Sequence, residues 1–308
     1  MHQSDQAAAP WRLTPPLLFH YTSAQGVIGI ADSRVLRASC VADFADKTEI
    51  KYGVEILKDE VKRALRLGVP LVSEMVLARL AEQAVSRIHR TFAVCFCSDG
   101  SSLFHWRRYG NYCLQFETNG RSEPLVRPTS WYAQAQYHRV IYGRFRQRAA
   151  IRSAIQAIVA ALNRNGSGTS DGPSAEYISV FLARNTSALL LDLLTAFKKL
   201  RYYPEQEWRL TVRPNLSLCS SAPDLADKNF DVTVKQLPRR FVELHIVRET
   251  RLFEPLLRRP VPFNAVIQSP FARNAHERVS IQKALDENCG PEIQLRAAGW
   301  PLVCGLDR

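Results

Sequence analysis

Residues Tyr203–Leu210 read Y-P-E-Q-E-W-R-L. Two glutamates stand two positions apart, followed at once by a tryptophan and an arginine. In a strand, successive side chains alternate between faces. Glu205, Glu207 and Arg209 would then share one face, and Gln206, Trp208 and Leu210 the other. Such a segment is either a site, with two carboxylates and a guanidinium converging beside an apolar anchor, or a well-solvated edge strand. The surrounding sequence has to separate the two.

Upstream, Ala175–Leu200 is a long apolar stretch that predicts a helix, and its K-K-L-R end suits the negative pole of the helix dipole. Residues Asn163–Ser174 are polar and glycine-rich and predict a mobile insert. Before it lie a helix over Phe145–Leu162 and strands over Gln136–Gly143 and Asn111–Glu117. Thr91–Ser98 is almost wholly apolar, the pattern of a strand buried on both faces. Helices are expected over Ser73–His89 and Val54–Leu67, the latter closed by Gly68-Val69-Pro70, because proline disfavours helical geometry in the residue before it. Val35–Ser39 and Leu17–Tyr21 read as strands. Between them, Thr22 or Ser23 can cap a helix by accepting an orphan amide of its first turn. Downstream of the opening stretch, strands are expected at Val232–Lys235, Phe241–Val247, Glu292–Leu295 and Pro301–Val303, with a helix over Ala275–Glu287. Both halves share this texture. The expectation is one α+β domain over residues 17–308, after a flexible lead-in over 1–16.

The chain has 308 residues, 46% hydrophobic and 23% charged, an ordinary globular balance. No apolar run reaches the roughly 18 residues of a membrane helix, and the first residues carry no basic-then-apolar signal pattern. A cytoplasmic protein without membrane partners is expected. The seven cysteines are scattered; with no C-x-x-C and no paired Cys/His spacing they read as reduced thiols, and no metal site is expected. The net charge of +12 favours polyanionic partners. Its densest points are Arg144–Arg148, Pro238–Arg240 and Leu257–Arg259. There is no G-x-S-x-G and no phosphate-binding P-loop pattern.

Three stretches can carry chemistry. F-H-Y-T-S (Phe19–Ser23) ends a strand on a histidine and opens a helix, whose N-terminus attracts polar or anionic groups; the bland alternative is a satisfied histidine beside a simple cap. C-F-C-S followed by F-H-W-R-R-Y-G places Ser98, Arg107 and Tyr109 in or beside a loop on a rigid strand, with Phe104 and Trp106 as anchors pinning the loop to the core. The third is E-Q-E-W-R, where Trp208 reads as core, Arg209 as an ion-pair partner, and Glu207 equally as structural or functional.

Taken in order, H-Y-T-S, D-x-x-E with Y-G after it (Asp46, Glu49, Tyr52, Gly53), C-F-C-S with W-R-x-Y-G, and E-x-E-W-R resemble a widespread bacterial family described as a domain of unknown function. The resemblance spans roughly Leu17–Val303. The chain departs from it at Ala45, where asparagine is usual, and at Gly299, where serine is usual. More distantly, the same order is similar to the ADP-ribosyltransferase superfamily, in its DarT-like and poly-ADP-ribose-polymerase-like branch. That resemblance implies a split mixed or antiparallel sheet with flanking helices, and NAD as a substrate. By position it implies that His20, Tyr21 and Thr22 hold NAD, that Ser98 supports the second motif, that Glu207 is catalytic, and that Glu205 faces the acceptor. Arg107, Tyr109 and Arg209 would complete the NAD site, an arginine meeting the pyrophosphate. The acceptor would be nucleic acid or protein and the setting a toxin or phage-defence effector, with a regulatory partner beside the acceptor. Two other classes stay open: a non-catalytic nucleic-acid-binding or sensor module, and a metal-dependent nuclease using Asp46, Glu49, Glu205 and Glu207.

Overall fold

The computed structural model describes residues 16–46, 48–68, 71–118, 126–127, 133–166, 188–214, 235–237, 239–246, 263–290 and 293–298. The chain begins β1 (Leu17–Thr22), α1 (Ala24–Ser33), β2 (Val35–Cys40), α2 (Thr48–Arg66) and α3 (Leu71–Ser86). It continues β3 (Phe92–Cys97), α4 (Leu103–Tyr109), β4 (Tyr112–Glu117), β5 (Val126–Arg127), β6 (Ala133–Arg139), β7 (Ile141–Tyr142) and α5 (Arg144–Gly166). Helical residues 188–196 form α6, followed by β8 (Phe197–Lys198), a 3-10 turn over Leu200–Glu205 and β9 (Glu207–Pro214). The last described elements are β10 (Lys235–Leu237), β11 (Arg239–Ile246), β12 (Phe263–Gln268), α7 (Ala275–Asn288) and β13 (Gln294–Ala297).

The architecture is α+β around a mixed sheet. Most strand pairs are antiparallel; β12–β13 and the separate β7–β8 pair are parallel. The apolar strand β3 is central. β9 runs along one edge of it, from Phe92 opposite Val212 to Cys97 opposite Glu207. Two strands share its other edge: β2 takes the start, at Phe92 and Ala93, and β1 touches only the end, where Phe19 meets Cys97. On its other edge β1 forms a full ladder with β4, from Leu17 to Thr22. The sheet therefore opens between β1 and β3.

Side-chain alternation sorts the layers. Phe92, Val94, Phe96, Trp208, Leu210 and Val212 face a core completed by α1 and α7. Ala93 faces the other way, into a second core built from α2, α3, α5 and α6. Ser23 starts α1, its hydroxyl accepting the Gly26 N–H, as the sequence suggests. Gly110, at φ +130, ends α4 within 2.4 Å of the Thr22 carbonyl oxygen as measured from a Cβ placed there. Only glycine permits that approach and that backbone.

Several expectations change. β9 is not an edge strand, since β6 pairs along its far side. It also begins at Glu207: Pro204 lies in the 3-10 turn and Gln206 sits in the left-handed region at φ +40. Glu205 is therefore in the turn, not on the strand face. Lys198 is not at a helix end but in β8, buried. α2 starts six residues before Val54, because Asp46 Oδ1 accepts both the N–H and the hydroxyl of Thr48. β5 and β12 were not expected. Residues 163–166 of the expected insert are the last turn of α5. The rest of that insert, residues 1–15 of the lead-in over 1–16, residues 175–187 of the expected helix, and the strand at Pro301–Val303 lie outside the described residues. Among the described residues no helix is long and apolar enough to cross a membrane.

Candidate functional site

Every other side chain of β9 points toward the α2–α5–α6 layer. These are Glu207, Arg209, Thr211 and Arg213, all at most 4% exposed. Burying such groups is costly unless each finds a partner. Each does. Arg213 forks onto Asp192 through Nε at 2.8 Å and Nη2 at 3.1 Å, and Thr211 bonds His138. Arg209 donates through Nε to Glu207 Oε1 at 2.7 Å, through Nη1 to the Thr195 carbonyl at 2.6 Å, and meets Glu49 Oε1 at 2.6 Å through Nη2.

Lys198 approaches the same carboxylates from β8. Its Nζ lies 2.6 Å from Glu207 Oε2 and 3.9 Å from Glu49 Oε2, and it also donates to Glu205. Three carboxylates thus surround two cations. Glu49 arrives there because Asp46 starts α2 one turn earlier, which explains the D-x-x-E spacing. Burial pushes the Glu207 carboxyl up, but Arg209 and Lys198 outweigh it and hold the group well below the usual carboxylate range. Glu205 differs. Burial wins over Lys198 and raises its carboxyl, and its Oε1 has no hydrogen-bond partner.

The open seam between β1 and β3 forms a cavity of about 90 Å³ beside this network. Phe19, His20, Tyr21, Cys95, Phe96, Cys97, His105, Tyr109, Glu205 and Glu207 line it. His20 bridges the seam: Nδ1 lies 2.9 Å from the Cys95 carbonyl oxygen. A carbonyl only accepts, so Nδ1 carries the proton. Burial lowers the imidazole pKa and keeps the ring neutral, leaving Nε2 as a lone-pair acceptor. Tyr21 stacks on His105 at 4.7 Å and packs edge-on against Trp106. Its hydroxyl donates to the Asp99 carbonyl at 2.7 Å and accepts the Ser102 N–H at 3.0 Å, which fixes the loop after β3. Burial lowers the His105 pKa to about 4.

Of the residues singled out in the sequence, His20, Tyr21, Tyr109, Glu205 and Glu207 meet at one cavity, although nearly 190 positions separate the first from the last. Four do not. Thr22 closes β1 against Gly26 and Gly110 and lines no part of the cavity. Ser98 lies just past the lining residues and donates to Gln206 Oε1 at 3.2 Å. Arg107 is exposed on α4, away from the cavity. Arg209 is spent on Glu49, Glu207 and Thr195, so it holds the glutamates and is not free for a pyrophosphate. Sequence reasoning missed His105 and Lys198. The signal for His105 was its place beside Trp106, one residue along a short helix. Lys198 gave none, since a lysine pair after an apolar helix reads as a solvated end.

No protein-family model, curated protein or solved structure matches this chain.

Proposed function

We propose that the chain is an ADP-ribosyltransferase-like enzyme that cleaves the nicotinamide–ribose bond of NAD and passes the ADP-ribosyl group to a nucleic acid or protein. One observation carries the reading: the early histidine and the late glutamate pair line one cavity, and Glu205 Oε1 is left without a partner beside it. Ligand pockets commonly measure about 300–1,000 Å³, so a cavity of about 90 Å³ takes one end of a dinucleotide. The fitting end is the nicotinamide one, its flat ring set against the partly exposed Tyr109, with the remainder lying outside the mouth.

The chemistry divides between the two carboxylates. Loss of nicotinamide, which takes the bonding pair with it, develops oxocarbenium character at the ribose. Glu207, kept ionised by Lys198 and Arg209, stabilises that charge through the 2′-hydroxyl more in the transition state than in the ground state. Glu205, with its raised pKa and free oxygen, accepts the proton that the incoming nucleophile loses. Neutral His20 accepts a hydrogen bond from a ribose hydroxyl at Nε2. The metal-nuclease alternative fits less well, because the Lys198 ammonium already sits among Glu49, Glu205 and Glu207 where a divalent cation would have to bind.

The test is nicotinamide release by the full chain and by two conservative variants. Glu205→Gln keeps the shape and removes the base; His20→Asn keeps a donor toward the Cys95 carbonyl and removes the ring acceptor. Loss of a general base lowers rate by about 10²–10⁴-fold, and that drop is expected for Glu205→Gln. Equal turnover in wild type and both variants would remove this cavity from the reaction.

A further inference from the structure

A second concavity, of about 370 Å³, lies on the other side of the turn that carries Glu205. Tyr142, Gly143, Phe145, Arg146, Leu200 and Tyr203 line it. Three of these are large apolar side chains left in water: Phe145 is 81% exposed, Leu200 64% and Tyr203 48%. Tyr203 meets Tyr142 edge-on at 5.5 Å, so the aromatic surface is continuous. A contiguous exposed apolar patch of this kind marks a binding surface more often than chance.

The charge around the patch states what would bind. Arg144 and Arg148, on either side, pair with Asp59. Arg146, between them and lining the concavity, makes no ion pair among the described residues. Gly143 precedes α5 and offers no capping side chain, and the first turn of α5 contains no acid. Its amide groups and dipole therefore add to the charge of Arg146, the flanking Arg144 and Arg148 being offset by Asp59. No acidic side chain lines the concavity. Aromatic faces for unpaired bases beside an uncommitted cation are the elements by which proteins hold single strands.

We propose that this groove binds single-stranded nucleic acid, a base stacking on Phe145 or Tyr203 and its phosphate meeting Arg146. The groove touches the first cavity through one residue: the Tyr142 hydroxyl accepts the Glu207 N–H at 3.0 Å. A strand seated there runs beside the glutamate pair. This names the acceptor class for the transfer proposed above and to that extent rests on it; the binding itself needs no NAD.

The experiment is fluorescence anisotropy of labelled single strands of about 12 nucleotides, within the usual site-size range, titrated with the full chain without NAD. Deoxythymidine and uridine strands form separate arms, and a duplex of mixed sequence a third. We expect a DNA strand, an RNA strand or both to bind more tightly than the duplex. Phe145→Ala and Arg146→Glu should each weaken binding by about tenfold or more, and Arg146→Glu should also flatten the salt dependence. Both side chains are exposed, so the melting temperatures should not move. Absence of binding, duplex binding as tight as single-strand binding, or affinities indifferent to both substitutions would overturn the proposal. So would an acidic aromatic peptide binding in place of any oligonucleotide and losing affinity in these variants. Binding without NAD turnover would keep the groove and end the transferase reading, and turnover without binding would do the reverse.

Discussion

Arg209 shows how much of the candidate site rests on single side chains. It is 1% exposed and bound to two carboxylates and a backbone carbonyl. Removing one partner of a buried pair leaves the others uncompensated and costs about 3–5 kcal/mol. Arg209→Met is therefore expected to lower unfolding free energy by about that amount in urea titrations, far more than substitution of exposed Arg107. His105 supplies a pH signature. Its pKa in the folded chain is about 4 against an ordinary 6.5, so between those values the unfolded chain binds more protons and stability falls as pH falls. Urea melts from pH 7 down to 4.5 should show this loss, and His105→Gln should shrink it. At this scale the sequence was informative wherever a residue's role depended on its near neighbours. Trp208 as core and Arg209 as an ion-pair partner follow from alternation within five residues. The partnership of Glu49 and Lys198 with Glu207 depends on where α2 and β8 cross β9, which no local pattern encodes.

Among the elements, the least legible was the approach to β9. Alternation predicted Glu205, Glu207 and Arg209 on one face, and the two on the strand, Glu207 and Arg209, do share it. Glu205 reaches the same cavity by a different route, from a 3-10 turn closed by Gln206 at φ +40. A left-handed conformation costs a non-glycine residue roughly 1 kcal/mol. Gln206→Gly is expected to raise stability by up to about that much, less the exposed bond from Ser98, while Gln206→Val should lower it; thermal melts of the pair decide the sign. The start of α2 was misread because helix propensity begins at the apolar run, whereas Asp46 begins the helix by accepting from Thr48. The strands β1, β2, β3 and β4 were readable because they are short, apolar and bounded by turn residues. β12 was not, although Pro262 and Pro270 bracket it, because F-N-A-V-I-Q does not alternate cleanly and its ladder with β4 shifts register between Phe263 and Ala265.

At the scale of the molecule, the sheet's opening is what turns distant motifs into a cavity. β1 pairs with β3 at one residue while its other edge ladders with β4 throughout, and His20 spans the resulting seam to the Cys95 carbonyl. The α+β class was legible from the mixture of periods along the chain, but that opening was not, because pairing between strands about 75 residues apart leaves no mark in either. Some of the basic excess, dispersed in the sequence, is paired in space with Asp43, Asp59 and Glu60, while Arg146 at the second groove makes no ion pair among the described residues. The most direct test of the whole account is nicotinamide release from NAD by the full chain, assayed with single-stranded oligonucleotide present, for wild type and Glu205→Gln. The account predicts release by wild type and a loss of at least about a hundredfold in the variant. Turnover that is identical in the two proteins, or absent from both while the protein remains folded, would contradict it.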